Sequence, residues 1–125
     1  MRVLTVRNRT RSNVVGTGIL LAETALTRAV GLLGRQAVPA GDGMLISPSS
    51  GVHTIGMRCA IDVVGLDRRL RVVRLWPELA PYRLTSISFK VKSVLELAAG
   101  QIAATSLRLG DYLEVDNSSK SALND

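Results

Sequence analysis

The sequence predicts a mainly β (α+β) fold: a small barrel-like or sandwich β domain with one helix, in the N-terminal half, packed at one end. Three observations predict it. Short runs rich in β-branched and aliphatic residues recur along the chain, separated by Gly, Pro, Asn and Asp. Only one substantial stretch, in the first third, repeats apolar residues at helical spacing. A length of 125 residues with 46% hydrophobic and 21% charged side chains suits a single globular domain with its own core.

Residues 4–7 and 14–21 read as strands, joined by a polar turn over 8–13. Thr24 is placed to cap a helix over 25–35, whose buried stripe is Leu26, Ala29, Val30 and Leu33. Gly31 inside this helix costs about 1 kcal/mol relative to Ala, which close approach to a sheet would offset. Gly34 suits a left-handed helix end. Residues 39–43 form a loop, 44–46 a short strand and 48–51 a turn, with strands following at 52–57 and 61–66. Asp67, Arg68 and Arg69 turn the chain into a strand over 70–75, and Pro77 and Pro81 frame an irregular passage around Tyr82. Ile87, Phe89, Val91, Leu95 and Leu97 alternate with Ser88, Lys90, Lys92 and Glu96, the period of a half-buried strand interrupted near Ser93. Residues 100–106 form a short helix, and Leu109, Gly110 and Asp111 turn into a last strand over 112–115. The domain thus occupies 1–115, and the small polar residues 116–125 read as a frayed tail.

Composition excludes several classes. No run approaches the roughly 18 apolar residues of a membrane span, and the N-terminus lacks the apolar block and cleavage site of a signal peptide. The single cysteine, Cys59, forms no intrachain disulfide, which fits a reducing, cytoplasmic setting. One cysteine and one histidine cannot supply a tetrahedral Cys/His zinc site. No cofactor and no membrane partner is expected; a protein partner or a small ligand is.

The net charge is +6 with a pI near 10.4. Residues 1–11 hold Arg2, Arg7, Arg9 and Arg11 without an acid, and residues 68–92 set Arg68, Arg69, Arg71, Arg74, Arg83, Lys90 and Lys92 against Glu78 alone. Such a field attracts polyanions and also serves plain solubility. Trp76, Tyr82 and Phe89 lie within the second segment. Cations there could hold phosphates while an exposed ring stacks on a base; the alternative is that the rings are core and the charges a solvated face. No recognised nucleic-acid motif and no Gly-rich phosphate loop is present.

An ordered set of short motifs carries a family resemblance. It comprises Arg28-Ala29-Val30-Gly31-Leu32-Leu33-Gly34-Arg35, Gly43-Met44-Leu45-Ile46, His53-Thr54-Ile55-Gly56-Met57-Arg58, Ile61-Asp62-Val63-Val64, Val94-Leu95-Glu96-Leu97-Ala98-Ala99-Gly100 and Leu109-Gly110-Asp111. In this order and spacing the set resembles the bacterial and archaeal family called domain of unknown function one-nine-two, over about residues 20–113. The resemblance implies a small, mostly β domain with a helix near its start and no established common reaction. Its characteristic positions fall here on Gly31, Leu32, Arg35, His53, Thr54, Met57, Asp62, Leu95, Glu96, Gly100, Gly110 and Asp111. This chain departs from the pattern at three places. It has Ser49 where relatives often carry cysteine, Ala60 where proline is common, and Arg69 and Leu70 in a turn that usually contains glycine. The first departure weakens any Cys–His role.

Three residues are candidates for catalysis: His53, Asp62 and Glu96. His53 is the only histidine, so a histidine base or proton shuttle must be this residue; the plainer reading is a packed imidazole on the face of Ile55 and Met57. Ser49 and Thr54 offer nearby hydroxyls, but no Gly-x-Ser-x-Gly elbow exposes a nucleophile. Asp62 stands in an apolar strand and needs a partner, because an isolated buried charge is expensive. Arg58, about 13 Å back along a straight strand, is too far unless the chain bends at Ala60; Arg28 or Arg35 is the better partner. Glu96 faces away from Leu95 and Leu97, on the side of Lys90 and Lys92 if the strand is continuous, and either makes a cross-strand salt bridge or serves as a site carboxylate. If Asp62 and Glu96 converge beside His53, that cluster is the site, with Ser49, Thr54, Met57 and Arg58 as further ligand contacts. The expected function is a non-catalytic binding or accessory module. The alternatives are a small hydrolytic or acid–base enzyme using His53 with Asp62 or Glu96, and a polyanion binder through Arg68, Arg69, Arg71, Arg74, Lys90 and Lys92.

Overall fold

The computed structural model describes residues 2–23, 36–51, 57–83, 85 and 88–118. Seven strands form one sheet: β1 (Val3–Asn8), β2 (Asn13–Ala22), β3 (Asp42–Ile46), β4 (Ile61–Leu66), β5 (Val72–Leu79), β6 (Ser93–Ala98) and β7 (Leu113–Asn117). A single short helix among the described residues, α1 (Gln101–Ala104), lies between β6 and β7. The fold is mainly β, as the sequence predicts. The helix expected over 25–35 and, except for Met57, the strand expected over 52–57 lie outside the described residues.

The strand order is β5-β4-β6-β3-β2-β1-β7. Neighbours are antiparallel except β2 and β3, which are parallel with Leu20 opposite Met44 and Ala22 opposite Ile46. Parallel neighbours cannot be joined by a tight hairpin, and the long connection over residues 23–41 supplies the crossover. The sheet is not closed. Its outer strands meet at one corner, through a bridge between Arg71 and Tyr112, an N–H of Leu113 donating to the carbonyl of Leu70 at 2.9 Å and an N–H of Val72 donating to the carbonyl of Asp111 at 2.8 Å.

β4 and β6 are interior strands of the sheet and all their residues are buried. Both faces of the sheet therefore carry core. One face holds Ile19, Leu45, Val64, Leu66, Leu95 and Leu97, among others. The opposite face holds Ala22, Met44, Ile46, Met57, Ile61, Val63, Val91 and Val94. Gly43 lets β3 and β6 approach closely, because a Cβ at that position would run into the carbonyl oxygen of Glu96.

Three local expectations change. β5 runs straight through Pro77 rather than stopping before it. An edge strand tolerates proline because one side of its ladder needs no donor. The alternation read over 87–97 is not one strand: β6 begins at Ser93, and residues 88–91 form a turn closed by the N–H of Val91 donating to the carbonyl of Ser88 at 3.2 Å. At the C-terminus, β7 takes in Asp116 and Asn117, and the N–H of Ser118 donates to the carbonyl of Val3. Among the described residues no helix is long and apolar enough to cross a membrane.

Candidate functional site

Asp62 and Glu96 sit on two neighbouring interior strands, β4 and β6, in adjacent registers. Asp62 is opposite Leu97, and Val63 is opposite Glu96. Successive side chains of a strand point to opposite faces, so the two carboxyl groups project to opposite sides of the sheet. The structure does not bring them together.

Asp62 is fully buried and its described partners are backbone N–H groups; Arg28 and Arg35, the partners expected from sequence, lie outside the described residues. Its Oδ1 accepts from Glu78 at 2.8 Å and Gly100 at 3.1 Å, and its Oδ2 accepts from Ile102 at 2.7 Å. The Glu78 amide is free for this because the pairing of β4 with β5 is irregular: Ile61 is opposite Leu79, yet Val63 is opposite Trp76. Glu78 takes a left-handed φ of 50° at this bulge, which re-aims its N–H out of the ladder. The other two amides belong to the start of α1, whose N-cap Gly100 has no side chain to cap it. Asp62 does that work from a neighbouring strand, so one carboxylate ties β4 to the β5 bulge and to α1.

Glu96 has a different environment. It lies between Met44 of β3 and Val63 of β4, on the face that also carries Met57 and Val94. Its residue exposure is 3%, and among the described residues its Oε1 has no hydrogen-bond partner. Burial in this apolar setting pushes its carboxyl from 4.5 up to about 7. The side chain is therefore poised between acid and base near neutral pH, and holds an unmet acceptor. Among the described residues Glu96 makes no cross-strand salt bridge, and Lys90 and Lys92 are exposed and precede β6.

The remaining candidates are spread more widely. His53 and Thr54 lie outside the described residues. Met57 is buried on the Glu96 face, and Arg58 is exposed. The Ser49 hydroxyl is used locally, donating to the carbonyl of Gly51 at 2.7 Å. Arg68 and Arg69 sit on the exposed turn between β4 and β5, and Lys92 is exposed. Arg71, Arg74 and Lys90 line one groove of about 510 Å³. Among the described residues no cluster of three or more His, Cys, Asp or Glu could hold a metal ion.

A third buried carboxylate is saturated, like Asp62. Asp111 accepts from Asn8 Nδ2 at 2.8 Å, Arg11 Nε at 2.8 Å and the Arg108 N–H at 3.0 Å. Burial alone would raise its carboxyl, but those hydrogen bonds and the Arg11 charge outweigh burial and hold it below 3.8. The turn signal at Gly110 and Asp111 was legible in sequence. The partners Asn8 and Arg11, a hundred residues away, carried no local signal.

The family profile described as DUF192, uncharacterized ACR, matches residues 6–115, nearly the whole chain. This chain belongs to that family. The family is one of unknown function, and no curated protein matches the chain. Two crystal structures share the fold. A protein of unknown function from Novosphingobium aromaticivorans DSM 12444 is 22% identical, with a TM-score of 0.76 over 90% of this chain and 83% of that one. A candidate transcription regulator from Sinorhizobium meliloti 1021 is 20% identical, with a TM-score of 0.77 over 91% of this chain and 92% of that one. At these identities the likeness extends to the fold alone. Of the family's characteristic positions, Asp62 explains itself as structure, while Glu96 is left with unmet hydrogen-bonding capacity.

Proposed function

We propose that this domain is a non-catalytic binding module and that Glu96 is the polar anchor of its ligand site. One observation carries the reading: the buried carboxyl groups of β4 and β6 lie on opposite faces, with Asp62 bonded to three amides and Glu96 Oε1 bonded to none among the described residues. Their separation keeps Asp62 and Glu96 from acting together on one substrate, and the bonds of Asp62 commit it to structure. A buried acceptor left unpaired costs about 1–3 kcal/mol, and a ligand donor would recover that energy.

The ligand chemistry follows from the neighbours. Met44, Met57 and Val63 make the surroundings of Glu96 apolar. A small ligand with an aliphatic or aromatic body and a single amine fits: the body packs against the apolar residues and the ammonium donates to the carboxylate. The lone cysteine, Cys59, supports a cytoplasmic setting for such a module.

The test is an amide NMR titration with hexylamine, hexanol and hexanoate. Hexylamine should shift the amides of Met44, Val63 and Glu96 and hexanoate should not, and Glu96→Gln should abolish the difference between them. Equal responses to all three probes would sink the site. Reproducible turnover in a broad substrate screen, lost in a folded His53→Ala protein, would replace the module with an enzyme.

A further inference from the structure

Beyond the Glu96 site, and independent of it, the exposed surface carries a second arrangement of binding chemistry. The groove lined by Arg71, Arg74 and Lys90 opens beside the turn over residues 88–91. That turn is held firmly. The N–H of Val91 donates to the Ser88 carbonyl, the N–H of Lys90 to the Ser88 hydroxyl at 3.3 Å, and the N–H of Lys92 to the carbonyl of Leu66 at 2.8 Å. Val91 itself is buried, seated where Gly65 has no side chain: a Cβ there would meet Val91 at 2.9 Å and the Cβ of Arg74 at 3.0 Å. The turn is thereby packed against β4 and β5, with Lys90 brought to the same groove as Arg74.

At the tip of this anchored turn Phe89 is 95% exposed. Sequence alternation had assigned it to a buried strand face. Burying a phenylalanine side chain gains about 1.5–3 kcal/mol, and the fold leaves that gain unused. Trp76, by contrast, packs against the apolar cluster of the Glu96 face. The cationic row continues past the groove. The Arg71 guanidinium lies 5.9 Å from the Tyr112 ring centre, and that of Arg9 lies 5.5 Å from the same ring. The one carboxylate in the groove, Asp67, is engaged by the N–H groups of Arg69 and Arg71 at 2.8 and 2.9 Å.

We propose that this groove and turn bind single-stranded nucleic acid, with Arg71, Arg74 and Lys90 on phosphates and Phe89 stacked on a base. A single strand fits better than a duplex because a projecting ring needs a free base face, which only an unpaired base presents. The groove alone would take any polyanion; the ring exposed on the turn that carries Lys90 selects one that has bases.

The experiment is fluorescence anisotropy with a labelled oligothymidylate, the matching duplex and heparin, for the wild type, Phe89→Ala, Phe89→Trp and the Arg71→Ala/Arg74→Ala/Lys90→Ala triple variant. All four substituted side chains lie at the surface or its edge, and circular dichroism checks that each variant is folded. The wild type should bind the single strand more tightly than the duplex. Phe89→Ala should weaken single-strand binding by about five- to a hundredfold, the worth of one stacked base, with heparin binding unchanged and Phe89→Trp retaining the strand. The triple variant should weaken both ligands. Three phosphate contacts predict a loss of affinity of about twentyfold between 50 and 200 mM salt, which the triple variant should remove. No single-strand binding at low salt, tighter binding of the duplex, or equal loss of heparin and oligothymidylate in Phe89→Ala would each overturn the proposal.

Discussion

Replacing Glu96 by glutamine keeps the shape of the side chain and removes its titration. In the unfolded chain this carboxyl titrates near 4.5; burial between Met44 and Val63 lifts it to about 7 in the folded protein. Below 4.5 both states are protonated and the group favours neither. Between 4.5 and about 7 the folded state holds a proton that the unfolded state has released, so stability falls as pH rises. Above about 7 the loss is complete. At about 1.4 kcal/mol per pH unit, that interval corresponds to about 3 kcal/mol, a large share of the stability of an ordinary domain. The assay is urea unfolding followed by the single tryptophan, Trp76, which packs against the same apolar cluster. The wild-type curve should lose about 3 kcal/mol across the window, while Glu96→Gln loses none from this position. The difference between the two proteins should therefore be small at acid pH and grow in favour of the variant until it levels off above about 7. A difference that stays constant with pH, or grows toward acid, would refute the argument that desolvation governs this carboxyl.

Asp62→Ala should cost about 3–5 kcal/mol in urea unfolding, because it strands three N–H groups at once, the buried one of Ile102 and the part-buried ones of Glu78 and Gly100; a cost under about 1 kcal/mol would mean that water replaces the carboxylate freely. Asp111 has the opposite pH signature to Glu96. Its folded value lies below 3.8, so its contribution is present above that value and is lost as pH falls through the folded one. Acid unfolding of Asp111→Asn should accordingly show a shallower acid limb than the wild type, and an unchanged limb would dismiss the Asn8–Arg11–Asp111 cluster as a source of acid sensitivity. Gly43→Ala should destabilise by about 1–3 kcal/mol and speed hydrogen exchange along the β3–β6 ladder, since the added methyl meets the Glu96 carbonyl oxygen and, at 3.3 Å, Ile19 Cδ1; exchange rates matching the wild type would show that the strands part without cost.

Much of the architecture was legible in the residues alone. The mainly β class, the strands around residues 4–7, 14–21, 44–46, 61–66 and 112–115, the turn at Gly110 and Asp111, and the family all follow from composition, period and motif order. So did the need of Asp62 for internal partners, because a charge in an apolar strand cannot stand alone. What those partners were did not follow. They are amides at a bulge that forms where β5 misaligns with β4 and at a helix start thirty-eight to forty residues on, and pairing across such distances leaves no trace in local spacing.

Alternation failed at residues 87–97 for a related reason. A period of two identifies a strand with one wet face, whereas β6 is covered on both, and Phe89 belongs to a turn before it. The sequence by itself determined that Glu96 sits in an apolar run with its neighbours pointing the other way. Only the tertiary structure decided that this run is the inner strand between β3 and β4, which seals the carboxyl beside Met44 and Val63 and parts it from Asp62 by the thickness of the sheet. Side-chain direction along a strand is set by bonded geometry, but what covers each face is set by strands brought together from distant parts of the chain, and that choice is made by the packing free energy of the whole sheet.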